Sequence, residues 1–191
     1  MKTGLFFGSF NPVHHGHLAI AGYLAEFTNL DEVWFVVSPE NPHKKRQTLL
    51  GEQERLEMVE LAIKDDFRFR SSDIEFNMPR PSYTIDTIVR LEEKFPQRTF
   101  AFIMGADNLQ SLPKWKNYEQ LISGREVFVY PRHGVSCKDW EQNDNIHLTE
   151  APKMEISASF IRNALKDGKN IRYFVPDTVL NYIEKWGYFQ N

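Results

Sequence analysis

Leu5-Phe6-Phe7-Gly8-Ser9-Phe10-Asn11-Pro12-Val13-His14-His15-Gly16-His17 is the stretch whose reading decides the fold. Its apolar start reads as the end of a short strand, Gly8 to Pro12 as a turn, and the residues from Gly16 onward as a helix. A strand that ends in a glycine-containing turn and opens a helix aims backbone N–H groups and the positive helix end at one spot, which suits phosphate. His14 and His17 add imidazole donors there, which a plain dinucleotide-binding turn does not need. Two plainer readings compete: a surface histidine cluster at a helix start, and a metal site. Zinc asks for a third or fourth nitrogen, sulfur or carboxylate ligand at close spacing. Here the nearest downstream acid is Glu26 and the only thiol is Cys137, so phosphate handling is the better reading.

Outward from this stretch, apolar runs of strand length alternate with segments of helical period. Strands are predicted at Lys2–Phe7, Glu32–Val37, Phe67–Ser71, Thr99–Gly105, Glu126–Tyr130 and Ile146–Leu148. Helices are predicted at Gly16–Thr28, Gly51–Lys64, Tyr83–Phe95, Lys116–Ile122, Ser159–Asp167 and Asp177–Lys185. Val33-Trp34-Phe35-Val36-Val37 and Phe100-Ala101-Phe102-Ile103-Met104 are apolar on successive positions, as in strands buried on both faces of a parallel sheet. The alternation implies a doubly wound, mainly parallel α/β sheet with right-handed crossovers and a helical C-terminal portion. In such sheets ligands sit beyond the carboxyl ends of the strands. Residues 38–51, with Pro39, Pro42 and Lys44-Lys45-Arg46, and residues 77–81, with two prolines, read as loops. Neither is long enough for a linker, so residues 1–191 are expected to form one domain.

The chain has 191 residues, 41% apolar and 26% charged, enough for one well-buried core and short for two. A net charge of −3 leaves no basic footprint for nucleic acid. One cysteine excludes an internal disulfide and fits a reducing compartment. The opening residues follow a strand pattern, and no run of about 18 apolar residues suggests a membrane span. A cytoplasmic protein without membrane or nucleic-acid partners is expected, with homo-oligomerisation left open.

A second constellation lies near the C-terminus. Ile156-Ser157-Ala158-Ser159-Phe160-Ile161-Arg162 opens a helix that Ser157 or Ser159 can cap. Ser159 and Arg162, three apart, share its first-turn face. Alone this is an ordinary capped helix start with a solvated arginine. Together with the first stretch it resembles the HxGH and ISSTxxR signatures of the nucleotidylyltransferase superfamily, in their usual order, and implies that superfamily's Rossmann-like sheet.

Over nearly its whole length the chain resembles bacterial nicotinate-nucleotide adenylyltransferases. Ser82-Tyr83-Thr84-Ile85-Asp86-Thr87 is similar to their SYTxDT segment, Gly105-Ala106-Asp107 to their GxD element, and Pro42-His43-Lys44 to their proline-and-basic loop. Trp115 matches a tryptophan that packs on the pyridine ring, and Val175-Pro176-Asp177…Tyr182-Ile183 matches the last helix. The resemblance implies catalytic roles for His14, His17 and Arg162. It implies an ATP site at Gly8, Ser9, Phe10, His14, His17, Gly105, Asp107, Ser157, Ser159 and Arg162. It implies a nicotinate mononucleotide site at Ser9, Phe10, Lys44, Tyr83, Thr84 and Trp115. Mg²⁺ would be carried with ATP, with no metal cage of the protein's own. Each segment has a plainer reading as a cap or a core aromatic, and no firm role falls to His43 or Arg132.

The chain departs from many relatives in the first loop, which there reads Gly-Gly-Thr-Phe-Asp-Pro. Phe7 stands for the first glycine, Ser9 for the threonine and Asn11 for the aspartate. Ser9 keeps a hydroxyl and Asn11 an acceptor, whereas Phe7 removes the freedom to adopt positive φ. The same chemistry on nicotinamide mononucleotide, or less closely phosphopantetheine, remains an alternative. So does a non-catalytic nucleotide-binding regulator, though that module would be expected to have lost a phosphate-handling residue. No GxxxxGK[ST] or GxGxxG occurs to favour a P-loop enzyme or a dehydrogenase.

Overall fold

Six short runs rich in aromatic and β-branched residues form one parallel sheet in the computed structural model, which describes residues 1–39 and 49–190. They are β1 (Lys2–Gly8), β2 (Glu32–Val37), β3 (Phe69–Ser72), β4 (Thr99–Gly105), β5 (Val127–Tyr130) and β6 (Ile146–Leu148). The helices are α1 (His15–Phe27), α2 (Glu52–Ile63), α3 (Thr84–Lys94), α4 (Ala106–Ser111), α5 (Tyr118–Ile122), α6 (Ala158–Lys166) and α7 (Asp177–Trp186).

The strand order is β3-β2-β1-β4-β5-β6, and every neighbouring pair is parallel. From β1 the chain builds outward through β2 and β3, then returns to the other side of β1 to continue through β4. That reversal leaves a crevice beyond the carboxyl ends of β1 and β4. Gly8, opposite Val37, and Gly105, opposite Tyr130, stand at its rim.

Alternation along the strands divides the core in two. Val33, Phe35 and Val37 face a layer made by Ile20 and Leu24 of α1, Met58 and Val59 of α2, Ile161 of α6 and Val179 and Ile183 of α7. Trp34 and Val36 face Ile85, Ile88 and Leu91 of α3, Leu109 of α4 and Leu121 of α5. All six residues of β2 are buried, which is why its sequence shows no polar face. Among the described residues no helix is long and apolar enough to cross a membrane.

Two differences from the sequence reading stand out. Residues 106–114, assigned to no element from sequence, form α4 and a 3₁₀ turn at Leu112–Lys114. This run is too short for a helical period to show. The substitution of Phe7 for glycine also costs the loop nothing, because Phe7 is an ordinary strand residue opposite Val36. The positive φ falls three residues later, at Phe10 (φ 45°). A left-handed non-glycine residue costs about 1–2 kcal/mol. The Phe10 ring offsets this by burying itself between Phe6, Phe35 and His17, with centroids 5.0–5.8 Å away, since burying a Phe contributes about 1.5–3 kcal/mol. Gly8 is required there, as a Cβ on it would lie 2.8 Å from Phe10 Cζ.

Candidate active site

The Gly8–His17 loop runs from the end of β1 into α1, with His14 as the N-cap. The His14 and His17 rings stack, centroids 3.7 Å apart at 25°, and His17 Nδ1 accepts the His14 backbone N–H at 3.3 Å. Gly16 lets them meet, because a Cβ at that position would lie 3.0 Å from His14 Nδ1. His14 is 4% exposed, and its Nδ1 has no hydrogen-bond partner among the described residues. Burial, with the Arg132 guanidinium and His15 nearby, pulls the His14 imidazole down to about 4. It is therefore neutral at pH 7, a buried polar ring with an unused nitrogen.

The start of α1 is not a bare row of donors. His15 N–H is given to Phe174 O at 3.0 Å and His17 N–H to His14 O at 2.9 Å. The first of these ties residues 171–174 to the helix and separates His15 from its two neighbours. Less of the anion-binding capacity therefore rests with backbone N–H groups than the sequence reading implies, and more with the imidazoles.

The second constellation closes on the first. Ser157 caps α6, its hydroxyl accepting Phe160 N–H at 3.2 Å. Ser159 is in the first turn, and its hydroxyl accepts from Arg162 Nη2 at 3.2 Å. Arg162 Nη1 reaches across to donate to Asn11 O at 2.8 Å. Two segments 151 residues apart thus share one guanidinium, and desolvation lowers the pKa of Arg162 without threatening its charge. Asn11 uses the acceptor its side chain retains, Oδ1 taking Leu50 N–H at 3.2 Å.

Gly105 ends β4 and caps α4, so Asp107 lies in that helix's first turn. A Cβ on Gly105 would meet Asp107 Oδ1 at 2.3 Å. Arg132, two residues beyond β5, faces Asp107 with Nε 3.5 Å from Oδ1. It also donates to Tyr130 Oη at 3.3 Å and Met154 O at 3.4 Å. Its Nε is buried with no hydrogen-bond partner among the described residues. Arg132 is thus a cation beside the neutral His14 with donor capacity to spare, and its place just past a strand's carboxyl end was the signal of it in the sequence.

Tyr83 is the N-cap of α3 and offers the helix no side-chain cap, so the first-turn N–H groups from Thr84 onward have no acceptor within the helix. Lys116, beside Trp115, bridges to Asp86 at 2.8 Å and lies 4.7 Å above the Tyr83 ring. This contact stitches the Trp115 turn to the start of α3. Trp115 itself is half-buried against the α3–α5 side of the core. Ser82 and Thr87 turn away from Thr84 onto Glu75, at 3.1 and 2.7 Å.

Two site-bordering residues were missed from sequence. Glu75 is 3% exposed, and burial raises its carboxyl against the opposing hydrogen bonds of Thr87, Ser38 and Ser82. Nothing in the run Ile74-Glu75-Phe76 marks it. Arg55 is fully buried and spends its guanidinium on the carbonyls of Ser9, Ser38, Pro39 and Leu50, at 2.7–3.0 Å. Burial lowers its pKa to about 10. A signal did exist here, because Arg55 continues the stripe of Met58, Val59 and Ile63 on α2. Lys44 and His43 lie outside the described residues. Among the described residues no group of three or more His, Cys, Asp or Glu is placed to hold a metal. The site's donors are imidazoles, guanidinia and hydroxyls, chemistry that suits phosphate oxygens.

A family model described as cytidylyltransferase-like matches residues 5–164. A probable nicotinate-nucleotide adenylyltransferase of Flavobacterium johnsoniae is 47% identical over 192 residues, covering 100% of both chains. One of Cytophaga hutchinsonii is 50% identical over 191 residues, again covering 100% of both. Among solved structures, a Plasmodium falciparum nicotinic acid mononucleotide adenylyltransferase complexed with NaAD superposes with a TM-score of 0.83 at 20% identity, covering 98% of this chain and 97% of that one. That last match bears on the fold alone. Two motifs at one crevice, a family model spanning both, and relatives near half identity along the full chain agree: the chain belongs to the cytidylyltransferase-like family, among the nicotinate-nucleotide adenylyltransferases.

Proposed function

We propose that the chain transfers the adenylyl group of MgATP to nicotinate mononucleotide, giving nicotinate adenine dinucleotide and pyrophosphate in NAD biosynthesis. The observation that carries this reading is Arg162 bonded to Asn11 O, which brings the α6 hydroxyls and the His14–His17 pair to one place at the carboxyl end of β1. The reaction is expected to be carried by one folded unit of residues 1–191 and to take place in the cytoplasm.

The acceptor brings its own nucleophile. A phosphate monoester has a second pKa near ~6 and is mostly dianionic at pH 7, so no general base is required. Its oxygen attacks the α-phosphorus, the bond to the β-phosphate oxygen breaks, and pyrophosphate leaves with the electron pair. What the protein must supply is alignment of two polyanions and stabilisation of the charge that builds in the transition state. In this reading His14 and His17 flank the α-phosphate, and Ser157, Ser159 and Arg162 receive the leaving pyrophosphate. Gly8, Ser9 and Phe10 line the phosphates between them, while Asp107, beyond Gly105, takes the adenosine ribose. The metal arrives on the nucleotide's oxygens as part of the substrate.

On the acceptor side, the first-turn N–H groups of α3 at Thr84 would receive the pyridine carboxylate, with Tyr83 and Trp115 against the ring and Lys44 toward the phosphate. Backbone donors and a positive helix end suit a carboxylate. An amide would set its NH₂ against those N–H groups and leave buried donors unpaired, at a cost of about 1–3 kcal/mol. Pyrophosphate release with ATP, Mg²⁺ and each mononucleotide tests the reading. The kcat/KM for nicotinate mononucleotide should exceed that for nicotinamide mononucleotide by about 10²-fold or more. Equal values would refute the acid preference, and no release with either would refute adenylyl transfer.

A further inference from the structure

The two ends of the acceptor site are built on segments that share no strand pairing: the loop after β1 and the start of α3. A hydrogen-bonded chain nevertheless runs between them. Ser38, the residue after β2, is its centre. Its N–H donates to Gly8 O at 2.9 Å, its carbonyl accepts from Arg55 Nη1 at 2.8 Å, and its hydroxyl bonds to Glu75. Arg55 Nη1 also donates to Ser9 O at 2.7 Å. At the other end Glu75 takes the hydroxyls of Ser82 and Thr87, the residues that bracket Tyr83 and Thr84.

We propose that Arg55, Ser38 and Glu75 are positioning residues that fix the separation between the phosphate end of the acceptor site, at Ser9 and Phe10, and its carboxylate end, at the start of α3. The proposal rests on the functional reading above. Its chemistry is unlike that of a stabilising ion pair. Arg55 and Glu75, both buried, do not bond to each other. Each is used up on neutral carbonyls or hydroxyls of segments that bear the site. Burying a charge on neutral partners is a poor route to stability compared with an apolar side chain of similar volume. It does, however, orient several backbone groups at once, and a misplacement of about 1 Å between substrate-holding groups costs on the order of 10² in rate. The chain touches the acceptor's half of the site and the loop at Gly8 and Ser9 that lines both substrates' phosphates, and none of Ser157, Ser159 or Arg162.

The test is steady-state pyrophosphate release by the full chain, varying each substrate in turn. Ser38→Ala and Glu75→Gln should each raise KM for nicotinate mononucleotide about tenfold, the worth of one charge-assisted hydrogen bond. The KM for ATP should stay within about twofold. Ser38→Thr, which keeps the hydroxyl, should restore the acceptor KM. Glu32→Gln, at the far edge of the sheet, serves as the control for lost stability: it should lower Tm and leave both KM values unchanged. The proposal is overturned if the two KM values rise together, if neither moves, or if Glu32→Gln reproduces the acceptor effect. Should Glu75→Gln fail to fold, the Ser38→Ala and Ser38→Thr pair decides alone. An unaltered chain that releases no pyrophosphate with nicotinate mononucleotide refutes the functional reading, and the proposal with it.

Discussion

The two ends of the sheet treat a buried carboxylate and a buried imidazole in opposite ways. At the amino edge, where β1, β2 and β4 begin, Glu32 is almost fully buried, yet both of its oxygens are paired. It takes Thr3 Oγ1 at 2.7 Å and an ion pair from Arg98, while Arg70 lies 3.3 Å from its other oxygen. Arg98 also donates to Thr3 at 3.1 Å and lies over the Trp34 ring. Lys2 and Glu126 pair beside them. At the carboxyl edge, His14 keeps a buried nitrogen with no hydrogen bond among the described residues, Arg132 Nε has only its ion pair with Asp107, and Arg55 faces only carbonyls. Charges that satisfy one another stabilise a fold. Groups that leave bonding capacity unused at the switch point of the sheet are available to a ligand.

This contrast breaks first if the amino edge proves functional. Removing one member of a buried ion pair costs about 3–5 kcal/mol, because its partner is left unpaired. Glu32→Ala should therefore produce the largest loss of stability of any single change discussed, measured by urea unfolding at pH 7. The kcat/KM of the surviving folded protein should be unaltered. A fall in kcat/KM without a fall in stability would mean that the two edges are not divided in this way.

The carboxyl edge should show its own signature in pH. Unfolded His14 takes up a proton near its ordinary value of 6.5, whereas the folded ring refuses one until about 4. As pH falls through that window the unfolded state binds the extra proton, so stability is lost with acid. The difference amounts to about 3 kcal/mol between pH 7 and pH 4. Comparison with His14→Gln isolates this contribution from other groups that titrate there. Parallel stability curves for the two proteins would show that the ring is not insulated. A polyanion against His14 would oppose the depression, so saturating ATP should flatten the difference.

How much of this was legible beforehand follows from the range of each interaction. The six strands stood within two residues of their expected places, since runs such as Val33–Val37 encode burial on both faces locally. Ser157 as a cap and Arg162 on the same turn were likewise legible, because both depend on spacing within one helix. Glu75 was not, and Arg55 was legible only as a member of the buried stripe of α2, not in what its guanidinium holds. Their partners come from Ser9, Ser38, Ser82 and Thr87, and a charged residue whose burial depends on distant segments looks solvated in a linear pattern. Phe10's left-handed backbone was hidden for the same reason, as it depends on packing against Phe35.

Next in size come the site residues themselves. His14→Ala and His17→Ala should each slow turnover by about 10²-fold or more, as loss of an oxyanion donor does. His15→Ala should do much less, since its N–H is engaged with Phe174 and its ring is not part of the stacked pair. Arg162→Ala should match the histidines. Arg162→Lys should recover only part of the loss, because one ammonium cannot reach Asn11 O and Ser159 Oγ with the fixed fork that a guanidinium provides. Equal losses at His14, His15 and His17 would dissolve the distinction between underused and satisfied groups on which the comparison rests.

The smallest effect sharpens the comparison most, because it tests a backbone donor rather than a side chain. Thr84 is the first residue of α3, and Tyr83 before it is extended at φ −116° and ψ 141°. Proline is well tolerated at a first helical position, where its missing N–H has no helical acceptor, and it asks for an extended residue before it. Thr84→Pro should therefore leave Tm nearly unchanged while deleting one N–H from the place where the pyridine carboxylate is proposed to bind. Thr84→Ala keeps that N–H and removes only the hydroxyl. The expected outcome is about a tenfold rise in KM for nicotinate mononucleotide with proline, the worth of a hydrogen bond to a charged group, and little change with alanine. The nicotinamide analogue, whose neutral carbonyl oxygen makes a weaker bond to such a donor than a carboxylate does, should lose less on the proline substitution. If alanine is as damaging as proline, the hydroxyl rather than the helix start reads the acceptor, and acid preference at the carboxyl edge is a side-chain property after all.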